Sequence, residues 1–420
     1  MKSALVVTVD GINARFLGAY GNSWVPTPHL DRLAAHADVF DFFIAESLDP
    51  AALFLSSVSG VHAAAIELGC VPKSVGFFNA EIKSVLITDD PVIGALVEDS
   101  FDEVISLQTE DQDSDIASQS DSDYHRLFAV AAEAWQNQNA EQPLLFWVHT
   151  KGMFGRWDAP IEMQQWFKGE EDPPPFSFLQ TPSLQLEADY DPDERLKLLH
   201  GYAAQVCQFD QAFGELKAAL STPASPSMTI FAGLRGFPLG EHRIVGQGQG
   251  GEVKSVKMVS GKEMTPVGLH AEQLHVPLFC SHAGEDAAGK RLPKLQQTGD
   301  LYGIIKNWFD GCDEPLGDED ARIANLDLCA VSLGNQAIRI QTSAWSYSHA
   351  MGSPFQLDTQ QPGNLFVKPD DRLEVNEVGD SCPDVVDAMV GVLSGHLVSL
   401  QQHGTLSRQP LPKALHLGTE

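Results

Sequence analysis

Residues 5–9 form an unbroken apolar run, Leu-Val-Val-Thr-Val, that stops at Asp10-Gly11. Such a run without polar alternation predicts a parallel strand buried on both faces and opening into a loop. Three further runs read the same way: residues 84–87 ending at Asp89-Asp90-Pro91, residues 144–148 ending at His149, and residues 228–231 ending at Ala232-Gly233. Between them the period changes. Residues 27–35 start Thr-Pro and space Leu30 and Leu33 on one face, which predicts a helix with Thr27 as its cap and Pro28 in its first turn. Residues 202–220 predict a longer helix. Strands alternating with helices imply an α/β fold with a large, mostly parallel sheet flanked by helices. After about residue 330 the texture changes to strands at 337–341 and 364–367 and a helix at 383–400. These predict a small C-terminal α+β subdomain, so the expected division is 1–330 and 331–420, the latter ending in a polar tail.

The chain has 420 residues, 43% hydrophobic and 20% charged. Domains of roughly 100–200 residues make two units the natural expectation, and a core of this size excludes wholesale disorder. The 27 Lys and Arg stand against 57 Asp and Glu, a formal charge of −30. So acidic a chain repels phosphate backbones, and no nucleic-acid partner is expected. Cys70, Cys207, Cys280, Cys312, Cys329 and Cys382 form no CxxC pair, which fits reduced thiols and a cytoplasmic location. Asp10 cuts the first apolar run too early for a leader, no stretch reads as a membrane span, and no membrane partner is expected.

Two acidic or proline-rich stretches, 110–123 and 169–175, read as solvated loops. The first lacks the glycine and terminal glutamate of a calcium loop. The glycine-rich stretch 246–251 lacks the Lys-Ser/Thr of a phosphate loop and reads as a flexible loop. Ser56, Ser57 and Ser59 precede His62, but no third group is placed to hold a base for a Ser-His hydrolase.

In order, several blocks resemble the sulfatases, within the alkaline phosphatase superfamily. They are Val6-Val7-Thr8-Val9-Asp10-Gly11, Leu17-Gly18-Ala19-Tyr20-Gly21-Asn22 and Thr27-Pro28-His29-Leu30-Asp31-Arg32-Leu33-Ala34. The strand ending in His149 with Trp157-Asp158-Ala159-Pro160, the helix with Tyr202 and Phe209-Asp210, and the Leu239-Gly240-Glu241-His242 turn follow. His275-Val276-Pro277-Leu278 and the stretch from Asn364 through Pro369-Asp370-Asp371 to Glu374-Val375-Asn376 complete the series. The resemblance implies an alkaline-phosphatase-like fold. It also implies a divalent cation, usually calcium, on an early Asp pair and a late Asp-His or Asp-Asn pair, and a formylglycine nucleophile beside an arginine.

This chain departs from that pattern at each part. Asp10 matches the first metal ligand, but Gly11 stands at the second, and Leu234 and Arg235 stand at the late pair. Pro50 falls at the nucleophile and Phe54 at the arginine; a one-residue slip would offer Asp49. Met153-Phe154 replaces the Pro-His pair, and Gln247 replaces the lysine. Arg235 would bring a positive charge to the old cation position and could pair with Asp10. His149 and Lys151 are residual candidates at a strand end, and Glu241-His242 reads as a site-side or structural turn.

The first expectation is a sulfatase-like protein without sulfatase catalysis, a binding or assembly protein taking a small anionic ligand or a protein partner, with no cofactor. The second is an ester hydrolase with a site rebuilt from Asp10, Asp49, His149, Lys151 and Arg235; only this one would call for calcium or magnesium. The third is a subunit of an oligomer.

Overall fold

The computed structural model describes residues 2–72, 81–108, 122–139, 141–175, 180–187, 189–220, 226–247, 256–257, 263–264, 269–282, 289–312, 328–334, 336–407 and 409–416. The chain divides into two compact units that interleave in sequence. The first comprises residues 1–41, 76–248 and 276–293, and the second comprises 42–75, 249–275 and 294–420. The antiparallel C-terminal elements thus share their unit with earlier segments, and position 330 lies inside the second unit.

In the first unit, strands β1 (Ser3–Gly11), β2 (Asp38–Ile44, which begins here), β3 (Lys83–Thr88), β4 (Glu103–Ser106), β5 (Leu144–Thr150), β6 (Met228–Gly236) and β7 (Leu278–His282) line up in the order β2-β7-β6-β1-β5-β3-β4. From β6 to β4 all neighbours run parallel, and β7 runs antiparallel to both β6 and β2. Residues of β1, β5 and β6 are buried almost throughout, which is why these strands read as continuous apolar runs rather than alternations. Parallel neighbours need crossovers. Helices α3 (Asp123–Gln136) and α4 (Pro192–Ala219) supply two of them and pack together through Tyr124 and Phe128 against Phe209.

Three sequence expectations shift here. Strand β6 runs on through Ala232, Gly233, Leu234 and Arg235 to Gly236 instead of opening into a loop; Ala232, Gly233 and Gly236 pair with Thr8, Val9 and Gly11, and Leu234 and Arg235 fall at the register shift between them. An apolar Leu234 lets the strand continue into the buried layer. The long helix starts ten residues early because Asp191 caps it and Pro192 fills its first position. Helix α1 (Pro28–Ala34) begins after Thr27, but Thr27 does not cap it. Its hydroxyl donates to Asp31 and accepts from the Gly18 N–H, while the helix N–H groups of His29 and Leu30 are taken by the two carboxylate oxygens of Asp210, at 3.1 and 2.8 Å. The acidic stretch at 110–123 lies outside the described residues except Ser122, which caps α3, and Asp123, which opens it. Residues 248–251 of the glycine-rich stretch also lie outside.

The second unit holds helix α2 (Pro50–Ser59) and an antiparallel sheet of β8 (Ala330–Gly334), β9 (Ala337–Gln341), β10 (Trp345–Ser353) and β11 (Asn364–Val367) in that order. Helix α6 (Pro383–His403), with α5 (Asp300–Asp310) before it in the chain, lays Met389, Leu393, Leu397 and Leu400 into a core with Val331, Ile338, Ile340 and Leu365. Among the described residues α6 is the one helix long and apolar enough by length and composition to cross a membrane, contrary to the sequence expectation, and one stripe of it faces this core.

Asp210→Ala should remove both acceptors from the start of α1 and lower stability by about 1–3 kcal/mol in urea denaturation, with Asp210→Asn costing less. A change of under about 0.5 kcal/mol would show that the cap is dispensable.

Candidate functional site

Strands β1, β5 and β6 end side by side, the position at which parallel α/β sheets carry their sites. Asp10 is the penultimate residue of β1, at a register shift between Val9 and Gly11 relative to β6. Its carboxylate is grasped end-on by Arg235 of β6: Nε donates to Oδ1 at 2.8 Å and the terminal nitrogen donates to Oδ2 at 2.9 Å. Both side chains are buried, Asp10 4% and Arg235 7% exposed. The Phe154 ring lies over the guanidinium, 4.0 Å from its centroid, so a cation–π contact closes the other face. Burial raises the Asp10 carboxyl from its ordinary value, Arg235 pulls it back down, and Asp90 adds a smaller upward push.

Gly11 is fitted to this closure. Its φ is +81°, and a Cβ there would come within 2.9 Å of the Met153 Cβ and 3.0 Å of the Phe154 ring. An aspartate at position 11 is therefore excluded while Phe154 stays in place. Gly152 is held as tightly, at φ +53°, with a Cβ position 2.1 Å from the Asp10 carbonyl oxygen. Hard cations need six or more oxygens without a competing positive charge. Asp10 offers both of its oxygens to a guanidinium, and Leu234 offers none. These residues do not fit a divalent ion, and among the described residues no three acidic, His or Cys side chains converge on a metal position.

The other candidates of this unit are engaged in structure. His149 is fully buried on β5, with Nδ1 3.0 Å from the Thr8 hydroxyl, which also accepts the Trp147 indole N–H at 2.9 Å. Burial, with Lys151 adding to it, pulls the ring down to about 4, so it is uncharged at neutral pH. Lys151 is half-buried; its backbone N–H donates to Asp89 at 2.8 Å, and Thr150 donates to the other oxygen at 2.7 Å. Burial raises Asp89 to about 6. Sequence reasoning passed over Asp89 as a strand terminator; the signal was a doubled aspartate after a buried run. Glu241 accepts from Arg15 and from the Leu239 N–H, with Arg195 3.7 Å away. Burial works to raise its carboxyl, but Arg15 holds it below the usual value. Half-buried His242 follows it in the turn, and Gln247 is exposed.

In the second unit, the segment at the nucleophile position is an ordinary capped helix. Asp49 is exposed and its carboxylate accepts the Ala52 N–H at 2.9 Å; Pro50 fills the first position and Phe54 is fully buried. The Ser57 and Ser59 hydroxyls donate to carbonyls of their own helix, Ser56 donates to Glu46, and His62 Nδ1 accepts from the Ala64 N–H. No Ser-His pair forms among them.

No protein-family model matches the sequence, and no curated protein is significantly similar to it. The fold is shared with solved structures of sulfatases and a phosphonate monoester hydrolase. The phosphonate monoester hydrolase of Agrobacterium radiobacter superimposes with a TM-score of 0.69 over 98% of this chain and 100% of its own, at 14% identity. A putative sulfatase from Bacteroides fragilis gives 0.61 over 93% and 94%, also at 14% identity. One from Bacteroides thetaiotaomicron gives 0.63 over 99% and 96%, at 11% identity.

Arg235→Ala should strand the Asp10 charge and cost about 3–5 kcal/mol at neutral pH by urea denaturation. Without Arg235 the folded-state carboxyl lies above its unfolded value, so the deficit should grow as pH rises and shrink as protonation neutralises Asp10. The double variant Asp10→Asn, Arg235→Met should recover most of the loss. A pH-independent deficit would contradict the pairing as the source.

Proposed function

We propose that this chain is a sulfatase-like protein without ester-hydrolase chemistry, serving as a binding or assembly protein and working without a metal cofactor. The observation that carries this reading is the buried Asp10–Arg235 pair sealed by Phe154. Hydrolysis of a sulfate or phosphate ester needs a nucleophile and positive charge aimed at the developing anion. In this reading Arg235 spends its charge on Asp10, and its exposed face is covered by an aromatic ring. His149, buried and neutral, donates no proton to a leaving group, and Lys151 is left without a nucleophile to assist. Pro50 has no nucleophilic atom, and Asp49 is occupied in capping α2. Leu234 and Gly11 belong to the same change, since each removes an oxygen donor and the glycine makes room for Phe154.

The test is turnover of nitrophenyl sulfate, nitrophenyl phosphate and a nitrophenyl phosphonate monoester by the purified chain, with calcium or magnesium added in parallel. Release at the buffer rate for all three is the expected result. Saturable release that is lost in Asp10→Asn would overturn the reading and restore a rebuilt hydrolase site.

A further inference from the structure

Asp89 follows β3 and turns its carboxylate onto the end of β5. It is 5% exposed. One oxygen accepts the Lys151 N–H at 2.8 Å, and the other accepts the Thr150 hydroxyl at 2.7 Å. The same hydroxyl accepts the Gly152 N–H at 3.0 Å. The turn that follows, Gly152–Phe154, is closed by the Phe154 N–H on the Lys151 carbonyl at 2.9 Å, and its Met153 side chain is fully buried. This turn lays the Phe154 ring over Arg235. Asp89 therefore pins the base of the cover over the Asp10–Arg235 pair.

Thr150 suits both charge states of this carboxyl, because a hydroxyl donates to a carboxylate and accepts from a carboxylic acid. With Asp89 ionised, the Thr150 O–H points to it. With Asp89 protonated, the acid O–H donates back to the Thr150 oxygen, and the other oxygen still accepts from Lys151. The hydrogen bonds therefore survive a change that removes the charge. The surrounding charges act in both directions. Lys151 at the end of β5 favours the ionised form, and Asp123 of α3 opposes it. Arg126 and Arg156 lie against Asp123 and Asp158, and the neighbouring Tyr124 phenol stays neutral. Asp90, next in the chain, caps the helix Pro91–Leu96. Burial outweighs the rest and raises Asp89 to about 6.

We propose that Asp89 is a proton-operated latch on the Lys151–Phe154 turn: with its proton on, the turn is held shut over Arg235, and loss of the proton favours an opening that returns the carboxylate to water. A carboxyl exposed by such an opening titrates near its ordinary value of about 3.9. The closed turn binds the proton more tightly. The added stability is therefore fully present below about pH 4 and is lost as pH rises through about 6. Opening uncovers the Asp10–Arg235 pair, so pH sets how often water or a ligand reaches it. The latch stands whether or not that region is catalytic.

The experiment is amide hydrogen exchange of the full chain, read by mass spectrometry on a peptic fragment spanning residues 150–155. Each rate is divided by that of the same fragment unfolded at the same pH, which removes the base catalysis of exchange. Protection should be about tenfold greater at about pH 5 than at about pH 7. Asp89→Asn keeps an acceptor for Lys151 and a donor for Thr150 without a charge, so its protection should not change with pH. Lys151→Met keeps the backbone N–H and removes the cation that favours the ionised form, so the rise in protection should begin at higher pH. Equal protection at both pH values in the unaltered chain, or a pH dependence that survives Asp89→Asn, would overturn the proposal. So would an Asp89→Asn chain that is unfolded at both pH values, since an uncharged side chain must fit the latch, or a Lys151→Met profile that does not move.

Discussion

The first unit turns on one electrostatic constraint: a carboxylate at the end of the central strand of a parallel sheet must have its charge answered inside the protein. Strand β1 is buried along its length and cannot carry Asp10 back to solvent. A tethered guanidinium answers the charge with two parallel N–H bonds of fixed geometry, which no mobile ion reproduces. The consequences spread outward. Arg235 requires β6 to continue as a strand past Gly233, Phe154 caps the guanidinium, and Gly11 must lack a side chain beneath the Met153-Phe154 turn. These positions are mutually fitted, so introducing an oxygen ligand at one of them leaves the others in conflict with it.

The second unit solves a similar problem with more partners. Glu374 is almost fully buried and receives the Arg339 guanidinium, the Lys368 ammonium at 2.9 Å and the Ala271 N–H at 3.0 Å, with His270 at 3.5 Å. Burial works to raise its carboxyl, but Arg339, His270 and Lys368 together hold it well below the usual carboxylate range.

The strands of the parallel sheet were readable because burial on both faces writes an uninterrupted apolar run, and those at 337–341 and 364–367 coincide with β9 and β11. The Asp10–Arg235 contact was readable through the sulfatase resemblance, which set Arg235 at a cation position beside Asp10. What could not be read is what depends on distant partners. Thr27 has the right type and place for a cap, yet Asp210, far along the chain, supplies the acceptors. The resemblance placed Arg235 in a loop, whereas pairing on either side of it, Gly233 with Val9 and Gly236 with Gly11, holds the segment extended. Glu374 was visible as part of a family segment, but Arg339 and Lys368 carried no sequence signal of partnership. Glu46 takes backbone N–H groups from Ala63 and Gly299, distant segments that no local pattern joins to it.

The central proposal is that Arg235 stands where the resemblance to sulfatases implies a divalent ion. Its most direct test is the metal content of protein purified without chelator, by mass spectrometry, with calcium and magnesium titrated against the melting temperature. The account predicts far less than one ion per chain and no shift on titration, because Asp10 has no oxygen to give. About one tightly held divalent ion per chain, with a melting temperature that rises on titration, would contradict it.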